Sequence, residues 1–182
     1  MSIPDKDTPQ AAEAINTVVD AVTHCRFEAT DQASDEVVLL KILQVLLAAL
    51  RSPVGHLLSD SSVCNIVQAA FRIGHQSGRE GELLQRTSRH TLIEVNRTVF
   101  KRLTEDPCPL AFAKPDEEEE AIAAEENGDS KVVDSPYGER CLVEFARFSF
   151  SLLTIEDQKE RDDLGILGLA LICSSLETVG LG

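Results

Sequence analysis

A chain of 182 residues, 43% of them hydrophobic, allows one or two small domains with a proper core and no need of a disulfide framework. Its net charge of −14 excludes a general nucleic-acid or anionic-membrane binder, because phosphate contact relies on clustered Lys and Arg. The charge is uneven: residues 104–135 hold eleven acids against Lys114 and Lys131, so the remainder is only mildly acidic.

Taken in order, residues 1–8 are polar, contain Pro4 and read as a disordered N-terminus. Pro9 suits the first position of a helix over 9–23, with Ala11, Ala14, Ile15, Val18, Val19 and Val22 on one face. Residues 24–33 read as a loop, with Phe27 as a possible anchor. Ser34, Asp35 and Glu36 then suit a helix N-terminus. They introduce 37–50, where only Lys41 and Gln44 are polar. Leu39, Leu40, Leu43, Leu46, Leu47 and Leu50 mark this segment as the central core helix, with neighbours expected on nearly every side. It is too short and too polar to span a membrane, which needs about 20 apolar residues. Pro53 ends it.

A third helix is predicted from Asp60 or Ser61, with Val63, Ile66, Val67, Ala70, Phe71 and Ile73 inward and Gly74, Gly78 and Gly81 ending it. A fourth, over 82–103, buries Leu84, Leu92, Val95, Val99 and Leu103. Opposite that stripe lie Arg86, His90, Arg97 and Lys101, spaced to project within about 60° of one another. They form a solvated face, and also the one positive ridge to which an acidic partner would be drawn. Three prolines and the acid run make 104–134 a disordered linker. Ser135 and Pro136 suit the N-cap and first position of a helix to about residue 154, and a last helix over 161–178 would be capped by Gly180. No stretch alternates with period two long enough for a sheet. The fold class is all-α, an armadillo-like array of antiparallel helix pairs with a disordered acidic linker.

No catalytic, cofactor-binding or metal site is expected. Cys25, Cys64, Cys108, Cys141 and Cys173 are widely separated, with no C-x-x-C pair and no histidine at zinc-ligand spacing, and read as reduced thiols of an intracellular protein. His24 beside Cys25 could suggest a thiol hydrolase, but adjacent residues diverge; a helix-end His and a buried Cys is the plainer reading. His75 among glycines lacks the Lys and Ser/Thr of a phosphate loop, and Glu117 to Glu120 lacks calcium-loop spacing. Gly165 and Gly168 in an apolar helix report either close packing or a weak point. The N-terminus has no signal-peptide pattern, and Ser at position 2 excludes myristoylation, so the chain is expected to start in the cytosol.

The run VTHCRFEATDQASDEVVLLKILQVLLAAL (22–50), the Ser52-Pro53-Val54-Gly55 that follows and SVCNIVQAAFRIGHQSGREGELLQRTSRHTL (62–92) resemble the N-terminal dimerisation and cyclophilin-binding domain of large Golgi-type Arf guanine-nucleotide exchange factors, the GNOM-like, brefeldin-A-related group. Ser135-Pro136-Tyr137-Gly138 and 164–177 resemble the start of the next regulatory part, the homology-upstream domain. Its Asn-Tyr-Asp-Cys-Asp motif is absent, as is any counterpart of the exchange domain. The resemblance implies a dimerisation unit over 9–103 and the first helices of a truncated homology-upstream unit over 135–182. It implies a non-catalytic module that forms homodimers and contacts downstream regulatory domains of the same protein. Further implied partners are Rab- or Arf-type small GTPases and cyclophilin, with peripheral recruitment from cytosol to Golgi membranes in vesicle trafficking and no direct insertion. A solenoid adaptor unrelated to exchange factors is the alternative.

Overall fold

A computed structural model describes residues 8–25, 32–76, 81–105, 136–155 and 158–180. Six helices account for most of them: α1 Thr8–Thr23, α2 Gln32–Arg51, α3 Asp60–Gln76, α4 Glu82–Glu105, α5 Glu139–Ser151 and α6 Gln158–Val179. A 3-10 turn, Gly55–Leu57, follows α2. No strand occurs among the described residues, and the fold is all-α. The expected disordered N-terminus and acidic linker lie outside the described residues, apart from Thr8, Thr104 and Glu105, which are helical.

Local chemistry sets several of these limits. Ser59 is the N-cap of α3: its hydroxyl accepts the Ser62 amide hydrogen at 3.1 Å, and its carbonyl accepts that of Val63. Asp35 and Arg51 sit at the ends of α2 where each opposes the helix dipole. Gly180 closes α6 with φ of 79°, a backbone conformation that favours glycine.

The helices stack as three successive pairs, α1 with α2, α3 with α4, and α5 with α6. Equivalent helices of neighbouring pairs run parallel, as the cross-contacts show. Asn16 of α1 meets Ser62 of α3 and Thr23 meets Arg72. Further along, Phe71 of α3 packs edge-on against Phe148 of α5 with centroids 5.3 Å apart. In the second layer Arg89 of α4 meets Asp163 of α6 at 3.7 Å, Asn96 meets Leu171, and Arg97 meets Glu177. One contiguous core, with Leu46, Ile66, Val95, Phe145 and Leu171 among its members, runs through all three pairs. The segments expected to form separate units on either side of the acidic linker thus share that core.

Several expectations need correction. The central helix is α4, which touches α2, α3, α5 and α6; α2 lies at the end of its layer. Leu43, Leu46 and Leu50 are fully buried, and Leu39, Leu40 and Leu47 pack partly buried against the core. However, Val37, Val38 and Val45 are 57%, 42% and 43% exposed. An apolar composition tells how much surface a helix would hide, not which sides find neighbours. On α1, Ala14 and Val18 are likewise exposed, and Asn16 points inward instead. Gly74 does not end α3. It lies inside it, where an added Cβ would stand 2.4 Å from the Ser88 hydroxyl oxygen on α4. Pro136 does not open α5: it forms an isolated antiparallel bridge with Ser59, and the helix starts three residues later.

Leu46→Ala should lower unfolding free energy by about 2–5 kcal/mol, since it opens a cavity in the core. Val45→Ala, one residue away on the open side, should change it by less than about 0.5 kcal/mol. Urea unfolding followed by circular dichroism measures both, and equal effects would contradict the assigned orientation of α2.

Candidate functional site

At the end of α1, His24 Nδ1 lies 2.9 Å from both the carbonyl oxygen and the carboxylate of Asp20. Cys25 is exposed rather than buried as expected. Thr23 Oγ1 lies 3.3 Å from the same His24 nitrogen, and among the described residues no hydrogen bond joins the Cys25 thiol to His24, so the contact of a nucleophile with its base is not made. His75 stacks on Phe71 with ring planes 11° apart, an aromatic contact at the end of α3. Among the described residues no group of three His, Cys, Asp or Glu could hold a metal ion.

Arg86, His90, Arg97 and Lys101 all stand exposed on the outer ridge of α4, in the middle of its layer. Their electrostatics differ. Arg97 binds Glu94 at 3.3 Å and Glu177 of α6 at 3.5 Å. Glu94 also receives Arg51 from α2, so one chain of charges, Arg51, Glu94, Arg97 and Glu177, crosses all three helices of the layer. Arg86 and His90 form no ion pair among the described residues.

Two apolar faces flank this ridge at the ends of the stack. The first is the outer side of α1 and α2, with Val18, Val37, Val38 and Val45. The second is the outer side of α5 and α6, where Val143, Phe150, Ile166, Leu169 and Leu176 are exposed. On α6 these residues lie opposite Leu171 and Ser175, which meet α4. Gly168 permits the tight seat of α6, since a Cβ there would be 2.9 Å from the Ser149 carbonyl oxygen; Gly165 faces open space.

A polar clamp holds the third pair in place. The Tyr137 amide donates to the Leu58 carbonyl at 2.8 Å, and the Gly138 amide donates to the Asp60 carboxylate at 3.0 Å. Arg102 of α4 donates to the Tyr137 hydroxyl and to the Ser52 carbonyl, each at 3.2 Å. Burial pushes the Tyr137 phenol above its ordinary pKa, against the opposing pull of the Arg102 bond and charge. Sequence reading missed Arg102, Asn16 and Asn96 because each makes contacts across pairs. Asn96 alone had a local signal, a polar residue within the apolar stripe Leu92, Val95, Val99.

No family model matches the chain. Over 103 residues, 57% of the chain, it is 50% identical to the ARF guanine-nucleotide exchange factor GNOM of Arabidopsis thaliana, covering 7% of that protein. It is 35% identical over 186 aligned residues, 97% of the chain, to the ARF guanine-nucleotide exchange factor GNL2 of the same plant, covering 13% of it. A Golgi-specific brefeldin A-resistance guanine nucleotide exchange factor 1 homolog of Caenorhabditis elegans is 39% identical over 100 residues, 54% of the chain and 5% of that protein. The chain therefore spans only a small fraction of the length of these relatives.

Removing the Tyr137 hydroxyl with Tyr137→Phe should cost about 0.5–1.5 kcal/mol of stability, the net contribution of one hydrogen bond. Arg102→Ala should cost more, because the Ser52 carbonyl loses its donor too and the aliphatic stem no longer packs. Denaturant unfolding of both variants checks the order.

Proposed function

We propose that this chain, which is homologous to the N-terminal regions of large Arf guanine-nucleotide exchange factors, is a non-catalytic regulatory and dimerisation module of such a factor. The observation that carries the regulatory reading is the pair of apolar faces at opposite ends of the helix-pair stack. Large apolar side chains left exposed together on a helix face mark protein contact. The outer face of α3 and α4 is covered by α5 and α6 and is not free for a second copy. The end face of α1 and α2 takes its place as the surface for a second copy. The α5 and α6 face suits a downstream regulatory domain of the same protein, stacked as α5 and α6 stack on α3 and α4.

The ridge of Arg86, His90, Arg97 and Lys101 suits an acidic surface, on a neighbouring regulatory domain or on a Rab- or Arf-type GTPase. Cyclophilin is a further partner on the family reading. Recruitment to the Golgi from the cytosol would run through such proteins, in keeping with the Golgi-specific name of the nematode relative. Among the described residues no helix is long and apolar enough to cross a membrane. Nucleotide exchange would belong to another part of the parent protein, with this module acting on it through contact.

Light scattering over a range of concentrations should show a dimer that dissociates on dilution. Val38→Asp with Val45→Asp should raise the dissociation constant at least about tenfold, corresponding to about 1.4 kcal/mol, without loss of helicity. A monomer mass up to high micromolar concentration would refute dimerisation. Separately, Arg86→Glu with His90→Glu, which leaves the Arg97 contacts intact, should weaken capture of a downstream regulatory fragment at low salt and leave the unfolding midpoint almost unchanged. Undiminished capture would leave the ridge as an ordinary solvated face.

A further inference from the structure

We propose that Cys64 and Cys141 form a thiol modification site, in which a hydroperoxide entering the groove between α3 and α5 converts the two thiols to a disulfide joining the second helix pair to the third. The parallel course of these helices brings the two residues together: Cys64 stands opposite Cys141 as Phe71, seven positions on, stands opposite Phe148. On the other side Asp60, four positions before Cys64, meets Gly138, three before Cys141, so contacts on both sides fix the register that sets the two thiols facing each other. Cys141 is fully buried, whereas Cys64 is half-buried and lines a groove of about 310 Å³ with Val67, Gln68, Phe145 and Phe148. Glu144 and Arg147, 2.7 Å apart, lie at the same groove. The groove gives a small oxidant access to one sulfur and not the other.

The two thiols divide the roles of attacking and resolving cysteine. The facing Cys141 thiol holds the Cys64 thiol below its ordinary pKa, against the opposing effects of burial and of the Asp60 and Glu144 carboxylates, with Arg140 helping. The facing Cys64 thiol, with burial, pushes the Cys141 thiol up. Thiolate is the nucleophile, so Cys64 is the sulfur that attacks. Its attack on a peroxide oxygen breaks the O–O bond; the departing hydroxide takes a proton and leaves as water, and Cys64 becomes a sulfenic acid. The Cys141 sulfur then gives up its proton and displaces the sulfenic hydroxyl as a second water, forming the S–S bond. The peroxide gains the two electrons that the sulfurs lose. The bond would covalently close the chain from α3 to α5, where the third pair is otherwise held by the Tyr137 clamp and by packing.

Treatment of the intact chain with excess hydrogen peroxide, then alkylation and tryptic mass analysis without reductant, tests this directly. The expected major product is a species joining peptides 52–72 and 141–147, each with one cysteine, two hydrogens lighter than their sum and separated again by dithiothreitol. In Cys141→Ser, Cys64 should instead be trapped by dimedone as the sulfenic acid. Recovery of the two wild-type peptides unlinked, with Cys64 unmodified or taken to sulfinic acid, would overturn the proposal. The wild-type result stands alone if a variant does not fold.

Discussion

The stack depends on α4 having partners on both flanks, and the least replaceable of these contacts is polar. Asn96 is fully buried, and its amide group donates to the Leu171 carbonyl at 2.9 Å and to the Ser175 hydroxyl at 2.8 Å. Sliding α6 along α4 would strip these donors of their acceptors in a dry interface, at about 1–3 kcal/mol per unsatisfied group. Apolar side chains around it would tolerate such a slide far better, because hydrophobic burial has no direction. The Asn96 contact therefore sets register while the leucines supply adhesion. In the other layer, between α1 and the start of α3, Asn16 does similar work, its carbonyl oxygen accepting from the Ser59 amide and the Ser62 hydroxyl.

The structure repeats this division of labour at each joint. Ser59 is at once the cap of α3, the partner of Pro136 in the isolated bridge and a neighbour of Asn16. One short stretch before α3 thus fastens the first pair and the returning chain to the middle pair. The charged chain Arg51, Glu94, Arg97, Glu177 lies on the surface, and each exposed pair there contributes only about 0–1 kcal/mol. It adds complementarity across the layer, and its positive members leave a ridge in a chain that is otherwise acidic.

Helix existence was legible because it is a local property. Leu84, Leu92, Val95 and Val99 recur at helical spacing, and all four are buried. Layer order was not legible, since Val37, Val38 and Val45 have the same composition as core residues but sit at the end of the stack. Gly74 illustrates the same limit: its sequence context, with Gly78 and Gly81 nearby, suggests a helix stop, while its actual constraint is Ser88 from the next helix. Pro136 reads locally as a helix start and is instead drawn into extended backbone by Ser59, 77 positions earlier. The exposed ridge of α4 was legible as a face, but the links of Arg97 to Glu177 and of Arg102 to Tyr137 belong to packing between pairs.

Open ends follow from the architecture itself. A helix pair buries one face on the preceding pair and offers the other to the next, so a stack ends only where an outer face is made polar or is covered. Here the outer faces of both terminal pairs retain large apolar side chains, Ile166 and Leu169 being 63% and 55% exposed. Hydration of such faces opposes neither folding nor packing of the pair itself, but it leaves a free energy that any complementary surface recovers, at about 25 cal/mol per Å² buried. Because the faces lie at opposite ends, covering one leaves the other accessible. On the proposed reading, self-association and contact with a following regulatory domain therefore occur together without competing, and the α4 ridge between them remains open to a third partner.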